Sequence, residues 1–164
     1  MKIIQREIPA GEMNFRKLEV RKDTVDIEKR TFEATWATGA AVQDIAWDSE
    51  RGYVRINERL SMDPKHIRSK RMEMGLPLMD NHQRWQGQRA QIGKVTKNVV
   101  SAEGCSGLVR MSKRKDVEDI FQDIVDDIAG TTSVGYRVYE YQITKRTEGP
   151  DDYLAVDWEP LEVS

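Results

Sequence analysis

The chain has 164 residues, 38% of them hydrophobic and 33% charged, enough for a folded domain whose core needs no disulfide or metal staple. Lys plus Arg total 26 against 28 for Asp plus Glu, a net charge of -2, so no global field draws the chain to nucleic acid or to an anionic membrane. The single cysteine, Cys105, excludes an internal disulfide and a multi-cysteine zinc site and fits a reducing compartment.

Residues 1–6 lack a signal-peptide apolar stretch and no apolar run is long enough to span a bilayer, so a cytoplasmic setting is the expectation. No repeat or Pro/Gly/Ser-rich linker divides the sequence, and 1–164 reads as a single domain. Within it, charges interrupt the apolar positions of residues 1–30, which predicts an extended or peripheral segment. Residues 31–37 alternate large and polar side chains in the two-residue period of a half-buried strand. Gly39 permits a bend, residues 48–52 carry turn chemistry, and Tyr53 to Ile56 is a short strand.

Asp63 before Pro64 predicts a capped helix running through His66, Ile67 and Met72 to Gly75, with a basic surface. Residues 76–79 are a short apolar segment leading to Asn81 and His82, so the histidine stands where a strand meets a loop. Strand-like stretches follow at 92–95, 98–101 and 107–111. After Ser112, the residues Val117, Ile120, Phe121, Ile124, Val125 and Ile128 recur on one helical face; Ser112 is placed to cap this helix and Gly130 to end it left-handed. Residues 131–143, rich in β-branched and aromatic side chains, predict one strand, and a last strand runs from Tyr153 to Val163 after a turn at 148–152. The sum is a mostly β core with a few packed helices.

Two histidines are available for acid–base chemistry. His66 lies among Lys65, Arg68, Lys70 and Arg71, which suits a solvated surface histidine. His82 suits a general base held firmly at a substrate-facing loop, although an ordinary loop histidine carries the same signature. Ser133, followed by Val134-Gly135, places a hydroxyl where backbone can approach a substrate closely; a small-residue turn before a strand is the plain alternative. A serine hydroxyl is a weak nucleophile without a base in reach, and His82 is the better of the two bases. For a third member the last strand offers Asp157, Glu159 and Glu162. In simple alternation Glu162 shares a face with Leu154, Val156 and Trp158, and a carboxylate so placed wants a partner. Pro160 can break that alternation with a bulge, so Asp157 stays the alternative acid and a surface charge the plain one.

The basic run 113–115 and the basic helix around His66 come without interleaved aromatics or a nucleic-acid motif. No phosphate loop, dinucleotide fingerprint or HExxH motif is present, and Asp123, Asp126 and Asp127 lack calcium-loop spacing. Cys105 is reactive only if exposed, and no histidine adjoins it.

Four stretches in order, residues 75–82 (GLPLMDNH), 92–95 (IGKV), 132–136 (TSVGY) and 158–164 (WEPLEVS), with the helix before the serine, resemble the prohead maturation proteases of tailed bacteriophages, which are distantly similar to the herpesvirus assemblins. The resemblance spans residues 31–164. It implies a mixed α+β fold, mainly an antiparallel β-barrel surrounded by a few helices and herpesvirus-protease-like. It also implies Ser133 as nucleophile, His82 as base and Glu162 as the acid of a serine endopeptidase, and it implies no cofactor and no metal.

Backbone N–H groups from Ser133 through Val134 to Gly135, with Arg137, are the expected oxyanion or substrate-binding groups. The implied substrates are the scaffolding protein, the amino-terminal extension of the major capsid protein and the enzyme itself. The implied setting is the immature prohead in the host cytoplasm, with no membrane and no specific nucleic acid as partner. Assemblins act as dimers, so a homo-oligomer is among the expectations. Family members continue past the equivalent of Ser164 with an apolar stretch, so the expectation for the present sequence is either a trimmed or processed form or a chain cut at that point. Two further readings are a catalytically inactive capsid-assembly or scaffold module of the same fold, and a small nucleic-acid-binding β-barrel.

Overall fold

The computed structural model describes residues 18–82 and 89–164. The 83–88 part of the polar loop after His82 and most of the mixed-charge amino-terminal segment therefore lie outside the described residues. The strands are β1 (Leu18–Asp26), β2 (Thr31–Ala37), β3 (Val42–Asp48), β4 (Gly52–Leu60), β5 (Leu76–Met79), β6 (Gln91–Ser101), β7 (Gly104–Met111), β8 (Thr131–Thr132), β9 (Val134–Thr144) and β10 (Asp151–Val163). Among the described residues two α-helices accompany them, α1 (Lys70–Met74) and α2 (Glu118–Val125).

All ten strands join one sheet in the order β3-β4-β10-β5-β6-β7-β2-β1-β8, with β9 added on β10. The expected β-barrel surrounded by helices, herpesvirus-protease-like, is therefore incorrect: the sheet is open, with β3 and β8 at the two ends of its path. Helices of five and eight residues do not surround it, and the molecule is only weakly α+β. Alternation in the sequence reports which face of each strand is buried; closure depends on pairing between the first and last strands of the path, which no local pattern encodes.

Strand β10 is the spine of the site. Its first half runs parallel to β4, with Asp151 opposite Ile56 and Ala155 opposite Leu60. Its last residues run parallel to β5, with Val163 opposite Leu78. Between them the chain continues along the same edge, with Ser61 N–H donating to the Ala155 carbonyl and Arg68 N–H to the Trp158 carbonyl. Strand β9 lies antiparallel on the other edge. Trp36, Trp158, Phe32, Phe121, Ile56, Leu60 and Val109 fill the core, and full burial of such side chains supplies about 1.5–3 kcal/mol each.

The single helix expected from Asp63 to Gly75 is two short pieces. Asp63 does cap, accepting from Lys65 N–H at 2.9 Å, but only a 3-10 turn over Pro64–His66 follows. The chain then extends through Ile67, which bridges to Trp158, before α1 begins. Burying Ile67 against β10 overrides helix continuity. Gly75 ends α1 at φ 87°, where a side chain is strained.

Helix α2 is likewise shorter than the apolar stripe. Val117 and Phe121 are buried, whereas Ile128 is 74% exposed. Ser112 accepts from Arg114 N–H ahead of the helix instead of capping it. Asp127, at φ 63°, makes the left-handed end expected of Gly130. Asp127 N–H donates to Ile124 and Ile128 N–H to Asp123, a Schellman motif. The acidic Asp126-Asp127 pair is unfavourable at the negative end of the helix dipole, so the helix stops there.

Candidate active site

Strand β5 carries the chain from the core to a turn in which Asn81 and His82 both adopt left-handed backbone, at φ 49° and 53°. Such a conformation is uncommon outside glycine and needs support from its surroundings. Here His82 N–H donates to Ser164 Oγ at 3.1 Å, and Asp80 N–H donates to the Ala90 carbonyl at 2.8 Å.

Ser133 stands at a break between two strands that the sequence reads as one. Thr131 and Thr132 pair with β1, whereas Val134 onward pairs with β10. Ser133 N–H donates to the Ser164 carbonyl at 2.7 Å and Ser164 N–H donates to the Ser133 carbonyl at 2.8 Å. This double bond pair fixes the hydroxyl-bearing residue against the end of β10.

Glu162 enters from β10 and is 1% exposed. Strand β10 departs from simple alternation. Irregularities between Ala155 and Trp158 and again between Pro160 and Glu162 shift the register. Tyr153, Ala155, Trp158, Pro160 and Glu162 are therefore buried, while Leu154 and Val156 are not.

The three side chains form a hydrogen-bonded row. Glu162 Oε1 lies 2.5 Å from His82 Nδ1, and His82 Nε2 lies 2.5 Å from Ser133 Oγ. The carboxylate accepts the Nδ1 proton, which leaves Nε2 as the acceptor for the serine hydroxyl. The second carboxylate oxygen, Oε2, accepts from Ser164 Oγ at 2.8 Å. With both oxygens bonded, a buried carboxylate is tolerated.

Asp157 is not part of this row. Both its oxygens are bound by Arg68, at 2.7 Å each, and the Arg68 guanidinium holds its carboxyl below the usual range. Arg71 pairs with Glu159 at 3.0 Å, so the basic surface around His66 is in part spent on β10 carboxylates. His66 is itself half-buried, with Nδ1 2.8 Å from Ser61 Oγ, and is not the solvated histidine expected.

Among the expected oxyanion groups, Ser133 N–H is already engaged. Ser133 and Ser164 are a hydrogen-bonded pair of the ladder, so the next pair, Val134 opposite Val163, directs its Val134 N–H away from β10. Gly135 makes room for Glu162: a Cβ added there would fall on the Glu162 carboxyl group, 2.8 Å from its Cδ. Arg137 is opposite Glu159, four residues along the strand from Ser133, or roughly 13 Å. Among the described residues no group of His, Cys, Asp and Glu is arranged to hold a metal ion. Cys105 is buried, and burial pushes its thiol up to about 12.

Sequence reading missed the part taken by Ser164. The signal was present, since two-residue alternation from Glu162 puts Ser164 on the same face.

No protein-family model matches the chain, and no solved structure matches it. The major capsid protein of Halomonas phage phiHAP-1 is 35% identical to it over 95 residues, 57% of this chain. The match covers 16% of that protein's length. The chain is thus similar to part of a phage capsid-related protein.

Proposed function

We propose that this chain is a serine endopeptidase of a tailed phage that cleaves scaffold or the amino-terminal extension of the major capsid protein, and itself, during prohead maturation. The observation that carries the reading is the row Ser133–His82–Glu162, with 2.5 Å at each junction. The similarity to a phage major capsid protein supports the capsid setting.

The chemistry follows from the row. Ser133 Oγ attacks the peptide carbonyl carbon as its proton passes to His82 Nε2. The imidazolium is stabilised through Nδ1–H by Glu162. It then gives its proton to the leaving amine as the C–N bond breaks, which leaves an acyl ester on Ser133. Water adds to the ester, passing a proton to Nε2; collapse returns that proton to Ser133 Oγ and releases the acid. The Val134 N–H, turned away from β10, is the backbone donor this reading assigns to the developing oxyanion.

A serine-directed fluorophosphonate tests the nucleophile without knowledge of the substrate. Labelling mapped to Ser133 and abolished in His82→Ala is the expected result; an intact, folded chain that stays unlabelled overturns the catalytic reading. The second reading, a capsid-assembly module without catalysis, is favoured by the capsid protein match and predicts that unlabelled outcome.

A further inference from the structure

Ser164 touches every member of the row by a separate bond. Its hydroxyl donates to Glu162 Oε2 at 2.8 Å and accepts the His82 backbone N–H at 3.1 Å. Its backbone exchanges two hydrogen bonds with Ser133 at 2.7 and 2.8 Å. Glu162 is buried and offers two oxygens; one faces His82 Nδ1, and a carboxylate bonded on one side alone is free to rotate about its last torsion, which is broad. His82 holds a left-handed backbone at φ 53° that relaxes unless its surroundings fix it.

We propose that Ser164 is a positioning residue of this site: its hydroxyl sets the Glu162 carboxylate and the His82 backbone in mutual register. It touches no substrate and moves no proton in the reaction; it acts through Glu162 and His82. The inference rests on the serine-hydrolase reading for its catalytic consequence, but not for its geometric one.

Alanine at 164 removes the Oε2 donor and the acceptor of His82 N–H while leaving the backbone pair with Ser133 intact. Threonine retains the hydroxyl. The test compares wild type, Ser164→Ala and Ser164→Thr by two readouts. One is the low-field NMR proton of the His82–Glu162 hydrogen bond, which exists whether or not the chain is an enzyme. The other is the pH profile of fluorophosphonate labelling at Ser133.

The expected result is a low-field proton present in wild type and Ser164→Thr and shifted or exchange-broadened in Ser164→Ala. Labelling slows about ten- to a hundredfold across the pH profile in the alanine variant alone. An unchanged low-field proton in folded Ser164→Ala overturns the proposal. If the proton responds as expected while no variant is labelled, the positioning role stands and the hydrolase reading fails. Should Ser164→Ala not fold, Ser164→Cys, of similar size but only a weak donor, is read in the same way.

Discussion

Gly135 lies opposite Glu162 in the β9–β10 ladder, and the space a side chain would occupy there holds the Glu162 carboxylate. Glu162 can be buried beside His82 only because the facing residue has no Cβ. Gly135→Ala is therefore expected to displace Glu162, lowering stability by about 1–3 kcal/mol and slowing Ser133 labelling by at least about a hundredfold. Urea denaturation and labelling kinetics on the same preparation check both parts.

The two candidate acids of β10 separate cleanly by partner. Glu162→Gln keeps the shape but offers His82 Nδ1 an amide in place of a carboxylate, and turnover is expected to fall about 10⁴-fold. Asp157→Asn breaks only the half-exposed pair with Arg68 and is expected to leave labelling within about twofold, in keeping with the small worth of such pairs. Equal losses in the two variants would contradict the assignment of the acid.

Glu58 is another buried carboxylate, 3% exposed, whose two oxygens accept from the Tyr136 and Tyr141 hydroxyls. Tyr141→Phe removes one donor and leaves an oxygen of a buried acid short of a partner. The expected cost is about 1–3 kcal/mol, visible as a lowered urea midpoint with an unchanged slope.

One source of acid sensitivity lies where the β3–β4 turn meets the start of β10. Asp48 is held well below the ordinary carboxylate range by the Glu50 N–H and by Lys145, and Asp151 is lowered by Arg51 and by the Arg146 N–H. A carboxyl whose folded value is depressed stabilises the fold above its unfolded value near 3.8, and that contribution is lost as pH falls through the folded value. The urea midpoint is thus expected to hold from neutrality to about pH 5 and to drop below pH 4. Asp48→Asn should flatten the acid limb.

Cys105 gives the opposite limb. Its thiol is raised from 9.0 to about 12 by burial, so its share of stability is full below 9.0 and declines as pH rises towards the folded value. Alkylation by iodoacetamide at pH 8 is expected to require unfolding, and native-state labelling at the rate of a free thiol would contradict the burial.

The local motifs of the site were legible in the sequence, and their spatial frame was not. Asp63-Pro64 announced a cap because capping is a matter of adjacent residues, and it caps a turn. The helix beyond failed because Ile67 is taken up by Trp158, ninety-one positions away. Simple alternation puts Glu162 on one face with Leu154, Val156 and Trp158, yet the irregularity in β10 between Ala155 and Trp158 turns the first two off that face; alternation cannot show where a bulge resets it. Strand β3 gives no strand signal in the sequence because Ile45 and Trp47 are exposed while Ala46 and Asp48 are buried, the reverse of a hydrophobic-in pattern. The inward carboxylates and the Gly135 space depend on register between distant strands.

The most direct measurement of the central claim is co-expression of the chain with the capsid and scaffolding proteins of its own phage, read by intact mass for wild type, Ser133→Ala and His82→Ala. Defined cleavage products in wild type that vanish in both folded variants are the predicted result. The same products in Ser133→Ala would contradict the account.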